Sequence, residues 1–144
     1  MIVDVLPEAV VFLPEERDLI CSLAEAAGGH LRARWGDPRF EPIEDLLVDL
    51  VAILGREPLV VTLNATDADW HVDAGIYRDC VIAWIVHGRV EGGALAWKDE
   101  RGFVSTYEPK NGDVARMNSH DFEHRIEEIV KFGTNALRAS IVVA

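Results

Sequence analysis

The chain has 144 residues, enough for one core-burying domain, and its 49% hydrophobic and 27% charged residues are a globular balance rather than a disordered one. A formal net charge of −11 repels a phosphate backbone and so argues against nucleic acid as a partner. Cys21 and Cys80 have no framework spacing, the start lacks the basic region of a signal peptide, and "LLVDLVAIL" is too short to cross a membrane; the expectation is a cytoplasmic protein with free thiols.

No repeat, low-complexity tract or linker divides the chain, so a single domain over 1–144 is expected, with 1–57 as support and 58–144 as the β-rich core. In chain order, "IVDVL" and "AVVFL" alternate like strands. "LPEERDLICSLAEAAGGHL" has Pro14 and two glutamates in its first turn, Leu19, Ile20, Leu23 and Ala24 on one stripe, and Gly28-Gly29 at its end, which predicts an amphipathic helix. "PIEDLLVDLVAILG" predicts a second helix, from Pro42 to a stop at Gly55. From residue 58 the segments "PLVVTLN", "CVIAWIVHG", "GALAW", "GFVSTY", "DVARM", "DFEHRI" and "ALRASIVVA" predict seven or more antiparallel strands. The fold class is therefore α+β, a jelly roll or barrel with the two helices covering one face.

Three places in the β half carry chemistry. His71 and Asp73 lie two apart in "DWHVDAGIYR", a spacing that puts both on one face of an extended segment. In "DFEHRI", Phe122, His124 and Ile126 share one face, which directs His124 inward. Arg138 stands inside the apolar "ALRASIVVA" on the same side as Ser140, and a buried guanidinium needs a partner. Two imidazoles and a carboxylate on one face of a metal are the arrangement of non-heme Fe(II) oxygen chemistry, and an arginine fork opposite them suits a dicarboxylic acid.

Six elements occur in order over nearly ninety residues: His71-Val72-Asp73, "CVIAWIVHG", Gly92-Gly93-Ala94-Leu95, Pro109-Lys110-Asn111-Gly112, His124 in "FEHRI", and Arg138-Ala139-Ser140. Together they resemble the double-stranded β-helix of the Fe(II)/2-oxoglutarate-dependent dioxygenases, nearest to the prolyl-hydroxylase-like branch. The resemblance implies that His71, Asp73 and His124 bind Fe(II) as the catalytic centre. It implies that Arg138 holds the distal carboxylate of 2-oxoglutarate with Ser140 beside it. Dioxygen then oxidises a substrate C–H bond, with release of succinate and carbon dioxide. Asn64 and Tyr77 are further pocket candidates, Asn64 on the co-substrate side. The sequence departs from the family in three ways. The tyrosines that often assist the co-substrate are replaced by a region holding Val61, Thr62, Asn64, Trp84 and Ile85. "EEIVKFGTN" lengthens the gap from His124 to Arg138 and is expected to form a hairpin loop. The first third carries no motif.

Other assignments stand beside these. His120 in "NSHDF" is the rival distal ligand, though a turn histidine there is expected at the rim; His30 and His87 are expected at the surface or behind the ligands. Trp84 and Trp97 are core aromatics that could also line a pocket, and Arg78 and Arg116 either meet an anionic substrate or pair with acids. Asp73 favours hydroxylation over halogenation, since halogenases of the family usually lack that carboxylate. The expected substrate is a small molecule, an amino acid or natural-product intermediate, with a peptidyl hydroxylase as the alternative. A cupin-like metal- or ligand-binding protein would have no use for Arg138.

Overall fold

A computed structural model describes residues 2–65, 69–73 and 78–144. The expected Tyr77 pocket position lies outside them. The two predicted helices form where proline and glycine punctuate the sequence. Helix α1 (Pro14–Ala26) opens with proline at its first position, and the Glu16 carboxylate accepts the Leu13 N–H at 2.9 Å. Helix α2 (Glu44–Leu54) follows a 3-10 turn over Pro38–Ile43 and stops at Gly55, whose φ of 78° needs a residue without a side chain.

The described strands are β1 (Val3–Leu6), β2 (Leu31–Arg34), β3 (Val60–Leu63), β4 (Cys80–His87), β5 (Val90–Gly92), β6 (Leu95–Lys98), β7 (Val104–Tyr107), β8 (Val114–Met117), β9 (His124–Ile126), β10 (Ile129–Phe132) and β11 (Leu137–Val143). They pair antiparallel in a six-stranded sheet of order β1-β8-β4-β11-β3-β2, with a three-stranded β7-β6-β9 sheet and a β10-β5 ribbon beside it.

Strand alternation gives the large sheet two distinct faces. Val61, Leu63, Val81, Ala83, Ile85, Ile141 and Val143 bury one face against Ile20 and Ala24 of α1 and Leu46, Leu47, Leu50 and Leu54 of α2. Truncating a fully buried leucine such as Leu50 would cost about 2–5 kcal/mol, so this layer is what fixes the sheet. The other face carries Ile82, Trp84, Val142 and Met117 and packs with Leu95 and Trp97 of β6 and Ile126 of β9. That inner layer borders the candidate site.

The structure departs from the sequence expectation in three places. Residues 9–13 are not a strand. Val10 donates to the Gly112 carbonyl at 3.2 Å, but β1 already occupies the edge of β8, so Val11 is left 81% exposed with no ladder to join. Residues 31–34 form the unforeseen β2, which pairs with β3 and separates the two helices. The two helices themselves lie within residues 14–54. The expected loop between His124 and Arg138 contains a strand, β10, which pairs with β5 through Ile129–Gly92 and Phe132–Val90.

Candidate metal centre

An isolated antiparallel bridge builds the site. His71 N–H donates to the His124 carbonyl at 3.1 Å, and His124 N–H returns the bond to His71 at 2.9 Å. Residues directly opposite each other in a ladder project to the same side, which brings the two rings to a centroid separation of 4.3 Å. Asp73, two residues beyond His71, shares that side, and its N–H is pinned to the Ser119 carbonyl at 2.8 Å. Trp70, next to His71, is held by two cations, with Lys98 Nζ and the Arg125 guanidinium each over its ring at 4.5 Å.

The ligand-type atoms of His71, Asp73 and His124 all lie within 4.8 Å of one another. Asp73 Oδ1 is 3.7 Å from His71 Nε2 and 3.6 Å from His124 Nε2. Each imidazole also has its Nδ1 against a main-chain carbonyl, His71 on Asp69 at 2.8 Å and His124 on Phe122 at 3.0 Å. A carbonyl only accepts, so Nδ1 carries the proton, and in the neutral ring the lone pair then faces Asp73 from Nε2. Orienting a ring through its distal N–H in this way is what metal-ligating histidines need. Burial pushes the Asp73 carboxyl up, but when the rings are protonated, hydrogen bonding from His124 and the positive charges of His124 and His71 outweigh it and hold its pKa below the ordinary carboxylate value. Two neutral nitrogens and one ionised carboxylate are a donor set that fits Fe(II).

Around this trio lies a cavity of about 660 Å³ whose walls include Thr62, Cys80, Ile82 and Leu95, with His30 and Arg32 from the first third of the chain. Burial pushes the Cys80 thiol up to about 12, with the Asp73 charge adding to it, so Cys80 is an inert wall and not a thiolate ligand. A neighbouring cavity of about 440 Å³ shares Ala65 and Ile126 with it and is lined by Asn64, Trp84, Arg138 and Ser140. Arg138 Nη2 donates to the Gly93 carbonyl at 2.7 Å, while its Nε has no partner, and among the described residues it forms no ion pair. Burial lowers the guanidinium pKa and the nearby Glu108 charge works against that; the group stays cationic. Ser140 Oγ accepts the Ala65 N–H at 3.2 Å, and Asn64 holds a left-handed φ of 57° with its amide donating to the Gly29 carbonyl at 2.8 Å.

No protein-family model matches the sequence, and no curated protein matches it. Solved structures do match. A 2OG-Fe(II) oxygenase family protein from Burkholderia pseudomallei aligns over 99% of this chain and 84% of its own at a TM-score of 0.61 and 17% identity. A prolyl hydroxylase from Trichoplax adhaerens, in complex with a hypoxia inducible factor oxygen degradation domain peptide fragment, aligns over 99% and 82% at a TM-score of 0.73 and 10% identity. The chain has the 2OG-Fe(II) oxygenase fold. NgTET1 in complex with 5mC DNA shares this fold too, over 98% of this chain and 70% of its own, at a TM-score of 0.60 and 12% identity.

Within this oxygenase fold, the structure brings together His71, Asp73 and His124 in one cavity and Asn64, Arg138 and Ser140 in the adjoining one. His120 stays outside the donor cluster, with its Nδ1 3.2 Å from the Asp73 carbonyl. His30 lines the larger cavity, whereas His87 is exposed at the end of β4. Arg116 is paired with Asp79 at 2.9 Å, and Arg78 is exposed. Sequence reasoning missed Ser119 and Trp70 as supports of the ligands, because a turn serine and a lone tryptophan have no spacing signal. Gly93 was visible only as half of a glycine pair. Its φ is +70°, and a Cβ there would fall 2.0 Å from Arg138 Nη1, so the glycine makes room for the guanidinium.

Proposed function

We propose that this chain is an Fe(II)/2-oxoglutarate-dependent oxygenase that hydroxylates or otherwise oxidises a C–H bond of a small molecule. The observation that carries the proposal is the convergence of two carbonyl-oriented imidazoles on the Asp73 carboxylate. His71, Asp73 and His124 would hold the iron. Fe(II) so held would supply dioxygen activation coupled to decarboxylation of 2-oxoglutarate to succinate and carbon dioxide. Arg138 would anchor the distal carboxylate, with Ser140 donating beside it and Asn64 forming the wall. Leu95, Ile82 and Cys80 give the larger cavity an apolar wall beside the ligands, against which a substrate C–H bond would pack. Residues 58–144 carry the ligands and 1–57 support them as one domain. Free thiols at Cys21 and Cys80 agree with a cytoplasmic setting.

The preference for an amino acid or natural-product intermediate rests on the moderate cavity volume of about 660 Å³ and the net charge of −11, which disfavours a polyanion. A second reading, peptidyl hydroxylation, draws support from the likeness to the peptide-bound prolyl hydroxylase. Arg138 on an inner cavity speaks against a cupin-like binding protein. The test is 2-oxoglutarate-dependent succinate release with Fe(II) and dioxygen, run against amino acids, peptides and small metabolites. A metal-loaded protein that neither binds nor consumes 2-oxoglutarate would overturn the proposal.

A further inference from the structure

Trp84 is the largest fully buried side chain among the described residues, at 0% exposure, and its indole Nε1 has no hydrogen-bond partner. An unpaired buried N–H is costly, and native structures rarely leave one without a reason. The placement supplies one. Trp84 lies directly opposite Ser140 in the β4–β11 ladder, and Arg138 is two residues along β11 on the same face. All three line the 440 Å³ cavity. The Arg138 Nε is likewise buried and unpaired, and Ser140 Oγ already accepts from Ala65, which leaves its proton to give away. Three donors without a committed acceptor therefore sit on residues that line one cavity. The acidic groups on its rim are engaged or turned to water: Glu127 sits 3.7 Å from Arg125, and Glu128 is exposed.

We propose that the Trp84 indole N–H is a specificity-determining donor that, with Arg138 and Ser140, binds the carboxylate of the co-substrate. This rests on the oxygenase function proposed above. An indole donates and never accepts, so it favours an acceptor such as a carboxylate over an ammonium group at that end of the ligand. Because the ring is rigid and packed among Ile82, Leu95 and Ala115, the donor is pre-positioned and loses little freedom on binding.

The test reads binding rather than turnover. The protein is loaded with diamagnetic Zn(II) and 15N-labelled, and the four indole cross-peaks of Trp35, Trp70, Trp84 and Trp97 are followed while 2-oxoglutarate is added. The Trp84 peak, identified by its loss in Trp84→Phe, should move downfield in proportion to occupancy. Calorimetry should show 2-oxoglutarate bound roughly tenfold to a hundredfold more weakly by Trp84→Phe, as expected for losing one hydrogen bond to a charged group, with Zn(II) affinity unchanged. Substituting the benzothiophene isostere of tryptophan, which keeps the shape and lacks the N–H, should give the same loss. A Trp84 peak that stays put while the wild type saturates would overturn this inference and leave the oxygenase function standing. So would full affinity in the benzothiophene protein. A wild type that binds Zn(II) but no 2-oxoglutarate would overturn both.

Discussion

Removing the Arg138 guanidinium separates co-substrate binding from metal binding. One of its N–H groups is committed to the Gly93 carbonyl at 2.7 Å, while Nε is buried without a partner on a residue that lines the cavity. A planar fork offering Nε–H and a second N–H to one carboxylate makes two charge-assisted bonds. Loss of one partner of a fully buried pair costs about 3–5 kcal/mol, and Arg138 is only half-buried, so solvent screening argues for the lower end. Arg138→Ala should therefore weaken 2-oxoglutarate binding by about 3 kcal/mol, roughly a hundredfold. Arg138→Lys should recover part of this, because a point charge reproduces the sign but not the fork. Calorimetric titration of 2-oxoglutarate into protein loaded with redox-silent Mn(II) measures the effect, and a parallel Mn(II) titration should be unchanged. Near-wild-type 2-oxoglutarate affinity in a folded Arg138→Ala protein would refute the reasoning and make Arg138 a brace for the Gly92-Gly93 turn.

Gly93→Ala would place a Cβ where Arg138 Nη1 sits, so it should displace the guanidinium and weaken 2-oxoglutarate binding while Mn(II) binding and the fold persist; a crystal structure of the variant checks the displacement. Asp73→Ala should lower metal affinity by more than the roughly 10–100-fold that losing an outer partner costs, read by Mn(II) titration. Stripping the metal with a chelator should leave far-UV circular dichroism nearly unchanged, since the core is the sheet and two helices rather than ligation. In alkali, burial and the hydrogen bond to Asp113 push the Tyr107 hydroxyl up to about 12, so the stability it contributes is complete below the ordinary tyrosine value of about 10 and is lost as pH rises toward 12. Denaturant midpoints across that window should fall in the wild type and stay flatter in Tyr107→Phe.

The helices and most strands were legible because their signals are local: Pro14, Gly55 and the period-two runs of β4 and β11 need no partner to be recognised. The trio was legible because His71 and Asp73 lie two apart and His124 has apolar neighbours on its own face. What escaped is set by pairing. Residues 9–13 have a strand's pattern but no free edge, whereas β2 is a short Leu-Arg-Ala-Arg alternation hidden behind a helix stop. Strand β10 reads as a loop because all its residues are exposed; its pairing with β5 depends on Gly92, where a Cβ would fall 2.6 Å from the Glu128 carbonyl. Trp84 reads from the sequence as a core aromatic that could also line a pocket, and only its register opposite Ser140 sets it on the cavity beside Arg138.

The order β1-β8-β4-β11-β3-β2 also governs when the chain can fold. Its central strand β11, residues 137–143, joins β4 to β3, and both outer strands come from the first 34 residues. During synthesis β3 and β2 can pair early, but β1 must wait for β8, more than a hundred residues later, and β4 and β3 stay unbridged until β11 emerges. Until then the apolar faces of β3 and β4 and their unpaired edges are open to other chains. A ribosome-bound nascent chain ending before residue 137 should thus be held by chaperones and cut readily by proteases, and both sensitivities should vanish together once residue 143 clears the exit tunnel.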